Sequence, residues 1–255
     1  EQPQIKFAKH SAINRLPICI YADFETINKK VATIPSSRND ENKSYTEILT
    51  DQVPVSYRLH IFSDIPLGSN IALDYTYTGY DCAEKFVQTL IDLEEILIDV
   101  MISASRENEH ISKVQMTNAQ KTEYTTATTC HICLLPLPVK GMSRGDLQEN
   151  KIPRFAKVRD HSHFTGEYRG AAHNICNLQA RLPERSYKIP VIFHNANYDL
   201  HCFIREMAKT DREISILPSN SENFKTVDFG KFKILDSRAF LQNSLTNLID
   251  NLDEK

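Results

Sequence analysis

Two short segments carry most of the residues able to hold a metal: CHIC, Cys130–Cys133, and VRDHSHFTGEYRGAAHNICN, Val158–Asn177. Two cysteines with two residues between them on a tight turn grip one face of a tetrahedral zinc ion. His173 and Cys176, at i and i+3, point the same way on a helix and supply the second pair. Cys130, Cys133, His173 and Cys176 are therefore the expected ligands of a structural zinc ion. His131 lies inside the knuckle and is expected to point away from the metal.

The residues left between the two halves suggest a second ion. In extended chain, Asp160 and Ser162 face one side while His161 and His163 face the other. Asn177, one position past Cys176, sits at the edge of the zinc-facing side of the helix. Oxygen atoms of Asp160 and Asn177 suit a hard cation, magnesium or manganese. A neutral imidazole beside it, best placed in His161, could take a proton from an attacking water. The expected chemistry is phosphodiester hydrolysis, with zinc as scaffold and the harder ion at work. The competing reading is a purely structural zinc knuckle.

Two further motifs lie outside this segment. YADFET, Tyr21–Thr26, places Asp23 and Glu25 on one face at the end of a strand, half of a two-metal site. Alone, D-x-E at a strand end is more often a solvated edge. HNANYDL, His194–Leu200, puts Asn195 and Asp199 just after a buried strand and at the head of a helix.

The C-x2-C pair followed by RDHSHFTGEYRGAAHNICN closely resembles the recombination endonuclease VII branch of the ββα-metal (HNH-type) nucleases. That resemblance implies zinc on Cys130, Cys133, His173 and Cys176, with Asp160, His161, His163 and Asn177 as the catalytic set. His173 stands where many members carry cysteine. YADFET and HNANYDL together resemble the first two 3′–5′ exonuclease motifs of family B DNA polymerases, nearest the protein-primed branch. This implies that Asp23, Glu25 and Asp199 bind a pair of magnesium or manganese ions and that Asn195 touches a single-stranded 3′ end. An endonuclease VII-like module between those motifs is similar to polymerases of Polinton (Maverick) transposons, as is the tail KILDSRAFLQNSLTNLID.

The resemblance implies a ribonuclease H-like exonuclease domain of α/β (α+β) class, interrupted by a small zinc-bound ββα-metal module. Its expected divisions are residues 1–115, an inserted module with linker over 116–182, and residues 183–255. DNA is the implied partner, together with a terminal protein primer. No tyrosine-and-aspartate third exonuclease motif and no polymerase palm motif is recognisable before Lys255. Polymerisation by this chain is not expected, the exonuclease site is short of one carboxylate, and only the small module looks complete. The alternatives are a stand-alone metal-dependent endonuclease and an inactive zinc-containing DNA-binding remnant.

These residues need elements to position them. LPICIYA, Leu16–Ala22, reads as a buried strand, and Val53–Phe62 and Ile71–Tyr77 as two more. Phe86, Leu90, Leu93, Leu97 and Val100 mark an amphipathic helix over Asp81–Met101. Ser36–Gln52 reads as a loop, and Ser103–Thr129 as a polar linker. Regular structure resumes with a strand at Ile189–Phe193, a helix at Tyr198–Met207, a strand at Phe232–Leu235, and a helix carrying Leu241, Leu245 and Leu248.

Composition fits this picture. The chain of 255 residues is 41% hydrophobic and 25% charged, enough for a core in one or two domains. No apolar run is long enough to span a membrane, and the first residues lack the plan of a secretory signal. Without that signal, the six cysteines are poor candidates for a disulfide framework; Cys19, Cys82 and Cys202 read as small core residues. A nuclear or otherwise intracellular location is expected. The missing initiator methionine and the acidic, leucine-rich end suggest a piece of a longer protein. The net charge of −3 conceals a basic stretch comprising Lys151, Arg154, Lys157, Arg159, Arg169 and Arg181. Of these, Lys157, Arg159 and Arg169 are the expected nucleic-acid contacts, with Asn195.

Overall fold

The computed structural model describes residues 14–30, 50–109, 114–138, 142, 156–220 and 223–252. Lys151 and Arg154 of the basic stretch, and most of the Ser36–Gln52 loop, lie outside them. The chain divides into two compact units, one within Cys19–Phe62, Gly68–Ile96 and Lys188–Lys255, the other within Glu1–Ile18, Ser63–Leu67 and Leu97–Tyr187. The unit containing the cysteine and histidine segment thus draws on more of the chain than residues 116–182.

The first unit is built on a seven-stranded mixed sheet of order β3-β2-β1-β6-β9-β8-β7. Its strands are β1 (Ile18–Lys30), β2 (Thr50–Ser63), β3 (Asp74–Thr78), β6 (Ile189–Phe193), β7 (Ile214–Pro218), β8 (Phe224–Phe229) and β9 (Phe232–Asp236). Strands β1, β6 and β9 run parallel, with Tyr21 level with Ile192 and Ile192 level with Leu235. Side chains alternate across β1, so Ile20, Ala22 and Phe24 are buried while Tyr21, Asp23 and Glu25 are exposed.

The buried face packs on α1 (Cys82–Glu109) and on the helix that follows β6. Phe24 stacks on Phe203 at 5.4 Å between ring centroids and meets Phe86 edge-on at 5.0 Å. Phe86, Leu90, Leu93 and Leu97 are buried as the helical spacing requires; at the end of that series Val100 is only partly covered and Met101 is buried instead. Helix α1 also continues past Met101, into what had read as linker.

The second unit holds α2 (Asn118–Thr126), the hairpin β4 (Lys157–His161) and β5 (Tyr168–His173), and α3 (Asn174–Ala180). The polar stretch 103–129 is therefore not structureless. Helix α2 has no fully buried residue and so no apolar period, but Thr117 and Gln120 form a reciprocal capping box that fixes its start. Tyr124 leans on a small core of Cys130, Leu137, Ala171, Ala172 and Cys176.

Among the described residues, the remaining α-helices are α4 (Ala196–Met207) and α5 (Leu245–Asp250). The last expected helix is confined to α5; Leu241 and the turn at Ser237–Ala239 precede it. No helix among the described residues is long and apolar enough to cross a membrane.

Candidate metal centres

The chain around CHIC folds back tightly. Leu134 N–H donates to the Cys130 carbonyl and Cys130 N–H to that of Leu135, with Leu134 at φ 60°. A non-glycine residue in that region marks a turn whose surroundings over-determine it. Opposite, His173 ends β5 and caps α3, so that Cys176 follows within the first turn. The result is one cluster: the ligand atoms of Cys130, Cys133, His173 and Cys176 all lie within 4.8 Å of one another. Three thiols and one imidazole at that spacing are a donor set for a four-coordinate metal such as zinc.

His173 is oriented for the task. Its Nε2 lies 2.9 Å from the Pro136 carbonyl, which only accepts, so Nε2 carries the hydrogen. Its Nδ1 lone pair is left facing Cys133 Sγ at 3.4 Å and Cys176 Sγ at 3.8 Å. Without metal, burial pushes the Cys133 thiol up, and burial with the neighbouring Cys133 and Cys130 pushes Cys176 up to about 12. A bound cation reverses that preference by stabilising thiolate.

The other residues of the segment form the expected hairpin and helix, but Asp160 is engaged inside the protein. Its carboxylate is fully buried. It accepts Arg169 Nε at 2.9 Å and Nη2 at 2.8 Å, and faces His131 Nε2 at 2.8 Å. Burial alone would raise Asp160, but the bonds from His131 and Arg169 outweigh it and hold the carboxyl below its ordinary range. His131 does point away from the sulfur cluster, yet it has a definite partner. Gly170 makes this possible: a Cβ there would lie 2.7 Å from His131 Cγ.

His161 and His163 share a side, with rings parallel within 5° and centroids 5.1 Å apart. Both His161 ring nitrogens are buried without a hydrogen-bond partner among the described residues. Asn177 and His163 line a common cavity. The three cations expected to meet nucleic acid have protein neighbours. Lys157 Nζ donates to the carbonyl of Ala127 at 2.8 Å, Arg159 lies over the Tyr124 ring at 4.8 Å, and Arg169 holds Asp160 and Asn14.

The sheet of the first unit builds a different centre. Because β1, β6 and β9 are parallel and in register, the ends of β6 and β9 lie level with the middle of β1, so Asp23 sits within its strand rather than at the expected strand end, beside the β6–α4 turn and Asp236. Asn195 takes a left-handed conformation, φ 92° and ψ 48°, and its N–H donates to Asp236 Oδ1 at 3.0 Å. That turn points α4 so that Asp199, in its first turn, accepts the Phe24 N–H at 3.2 Å. Phe24 is the residue between Asp23 and Glu25.

The electrostatics report the same proximity. Asp199 is 2% exposed, and burial, then Asp23 and Asp236, push it up to about 7. Burial and Glu25 raise Asp23 as well. Asp199 thus senses Asp23 and Asp236, and Asp23 senses Glu25; Asp236 had no motif of its own. An aspartate at a strand end becomes informative only when the order β1-β6-β9 is known. Among the described residues, only the cysteine and histidine cluster brings three or more ligand atoms close enough together to hold one ion as it stands.

No protein-family model matches this chain, and neither a curated protein nor a solved structure matches it.

Proposed function

We propose that this chain hydrolyses phosphodiester bonds at the carboxylate centre of its seven-stranded sheet, as the 3′–5′ exonuclease region of a protein-primed family B DNA polymerase would. The supporting observation is that Asp199, pushed up to about 7 by burial, Asp23 and Asp236, accepts the backbone N–H of Phe24, the residue between Asp23 and Glu25. Magnesium or manganese bound there would supply charge neutralisation and an activated water. The chain's own part is to hold the ions from exposed Asp23 and Glu25 and buried Asp199. Asn195, locked at the helix head, would orient the strand end. The mixed sheet with this connectivity is in keeping with a ribonuclease H-like domain.

The cysteine and histidine segment supports the likeness to an inserted endonuclease VII-like module through its zinc ligands and its strand-strand-helix order. The buried Asp160–Arg169 pair weighs against that module as the working site in this conformation. The deciding experiment follows manganese-dependent degradation of 3′-labelled single-stranded DNA. Asp23→Ala and Asp199→Asn should abolish it while His161→Ala leaves it intact. The opposite pattern would move the activity to the module and overturn the assignment.

A further inference from the structure

The two outer strands of the seven-stranded sheet differ in what they offer a neighbour. Strand β7 ends in Pro218, which has no N–H, and its register against β8 shifts between Leu217 and Pro218. Both features blunt a sheet edge. Strand β3 has neither. Its five residues, DYTYT, pair with β2 from Asp74 opposite His60 to Thr78 opposite Ser56 without a break. Just beyond its ends, Ile61 N–H donates to the Leu73 carbonyl and Gly79 N–H to the Val55 carbonyl, each at 2.7 Å. Bonded and unbonded pairs alternate along an antiparallel ladder, so Tyr75 and Tyr77 direct their backbone groups to β2. Asp74, Thr76 and Thr78 turn theirs to the open edge, where no other strand among the described residues meets them.

We infer that a second copy of this chain pairs with this edge, β3 against β3, antiparallel across a two-fold axis at Thr76. The two sheets become one. In that register the strand is complementary to itself, as a two-fold interface requires. Thr76 meets its own counterpart, and Tyr75 of one copy meets Tyr77 of the other. Asp74 meets Thr78 rather than a second Asp74, and its charge is already answered by Arg58 at 2.9 Å. Threonine and aromatic pairs across strands stabilise a sheet, and no like charges stand opposite each other. A strand from an unrelated protein would require no such symmetry of β3.

The flanks agree with the same axis. Leu73 and Tyr80 are 50% and 77% exposed at the two ends of the strand. The pairing sets Leu73 of one copy opposite Gly79 of the other, next to Tyr80, so that each large side chain gains cover. Beside the edge, β3 and α1 flank an open groove lined by Lys85 and Asp92, about two turns apart on the helix. The axis turns the Lys85 end of one groove to the Asp92 end of the other, and opposite charges meet there.

Sedimentation velocity of the full chain over a wide concentration range tests this, and a reversible monomer–dimer equilibrium is expected. A residue on the axis meets itself, so Thr76→Lys sets two ammonium groups face to face and Thr76→Asp two carboxylates. Thr76 is exposed, and neither variant touches the core. Each should raise the dimer Kd about tenfold or more at low salt. A mixture of the two should associate at least as tightly as the wild type, a recovery that a misfolded chain would not show. Monomers at every concentration overturn the inference. So does a dimer indifferent to Thr76→Lys, which would use another surface. Slow hydrogen exchange of the Asp74, Thr76 and Thr78 amides in a monomeric wild type overturns it too, because another part of the chain would then cover the edge. The readout involves neither DNA nor divalent cations, so its outcome is independent of the proposed hydrolysis.

Discussion

The backbone N–H of Phe24 donates to Asp199 Oδ1 at 3.2 Å, stitching the head of α4 to the strand that carries Asp23 and Glu25. One bond therefore fixes the distance between the two halves of the carboxylate centre. It occupies one oxygen of Asp199.

Asp199 makes the metal-free protein sensitive to alkali. Its folded-state acidity, pushed up to about 7, lies above that of an unfolded aspartate. The stability it contributes is present below about pH 4 and is lost as pH rises towards about 7. Asp199→Asn should thus stabilise the metal-free chain near pH 8 by roughly 1–3 kcal/mol. The same change should cost on the order of 100-fold or more in nuclease rate. Urea unfolding of both proteins at about pH 5 and about pH 8 checks the first effect, which should be clearly larger at the higher pH. Manganese should raise the melting temperature of the wild type more at the higher pH, and that of Asp199→Asn little at either.

Removal of zinc should unfold the unit around Cys130, whose core is small and contains two of the ligands. Binding must deprotonate thiols that burial holds protonated, Cys176 up to about 12, so zinc uptake should release protons and tighten as pH rises. Cobalt substitution should give thiolate charge-transfer bands that Cys176→Ser weakens. His173→Cys should retain metal, because the fourth donor changes without altering the tetrahedron. Retained structure and cooperative melting after complete chelation would refute the structural role.

The cysteine and histidine cluster, able to hold a metal such as zinc, was legible because C-x2-C and H-x2-C encode its geometry locally, and the strands β1 and β6 were legible from apolar runs. What was not legible depended on partners distant in sequence. Helix α2 is held by its cap and by Tyr124 rather than by an apolar stripe, so periodicity passed over it. Asp236 needs β9 beside β6 before it can be seen with Asp199. That Arg169 holds Asp160 could not be read from the basic stretch, because it needs β5 laid against β4.

That pair gives a prediction of its own. Arg169→Leu removes the bidentate partner of a fully buried carboxylate and should cost about 3–5 kcal/mol. Asp160→Asn should cost less, because an amide still accepts from one guanidinium N–H and carries no buried charge. Asp160 is held below the ordinary carboxylate range, so its contribution is present above about pH 4 and disappears as pH falls through the depressed value. Acid unfolding of wild type should therefore be steeper than that of Asp160→Asn. Equal profiles would show that the pair is not formed in solution.

Gly170 supplies the sharpest test of how the knuckle and the hairpin are joined. A methyl group there would meet His131 Cγ at 2.7 Å and Cδ2 at 2.9 Å, contacts that real Cβ atoms do not make. The ring must move, and with it goes the 2.8 Å contact to Asp160. His131 N–H also donates to the Ala171 carbonyl at 3.0 Å, so displacement of the ring pulls on the segment between Cys130 and Cys133. Gly170→Ala should therefore destabilise the module by about 1–3 kcal/mol and weaken zinc binding, although it touches no ligand. His131→Ala in the same background should recover much of the loss, since the clash is removed with the ring. Zinc competition titrations on the single and double variants measure this coupling, and additive losses would refute it.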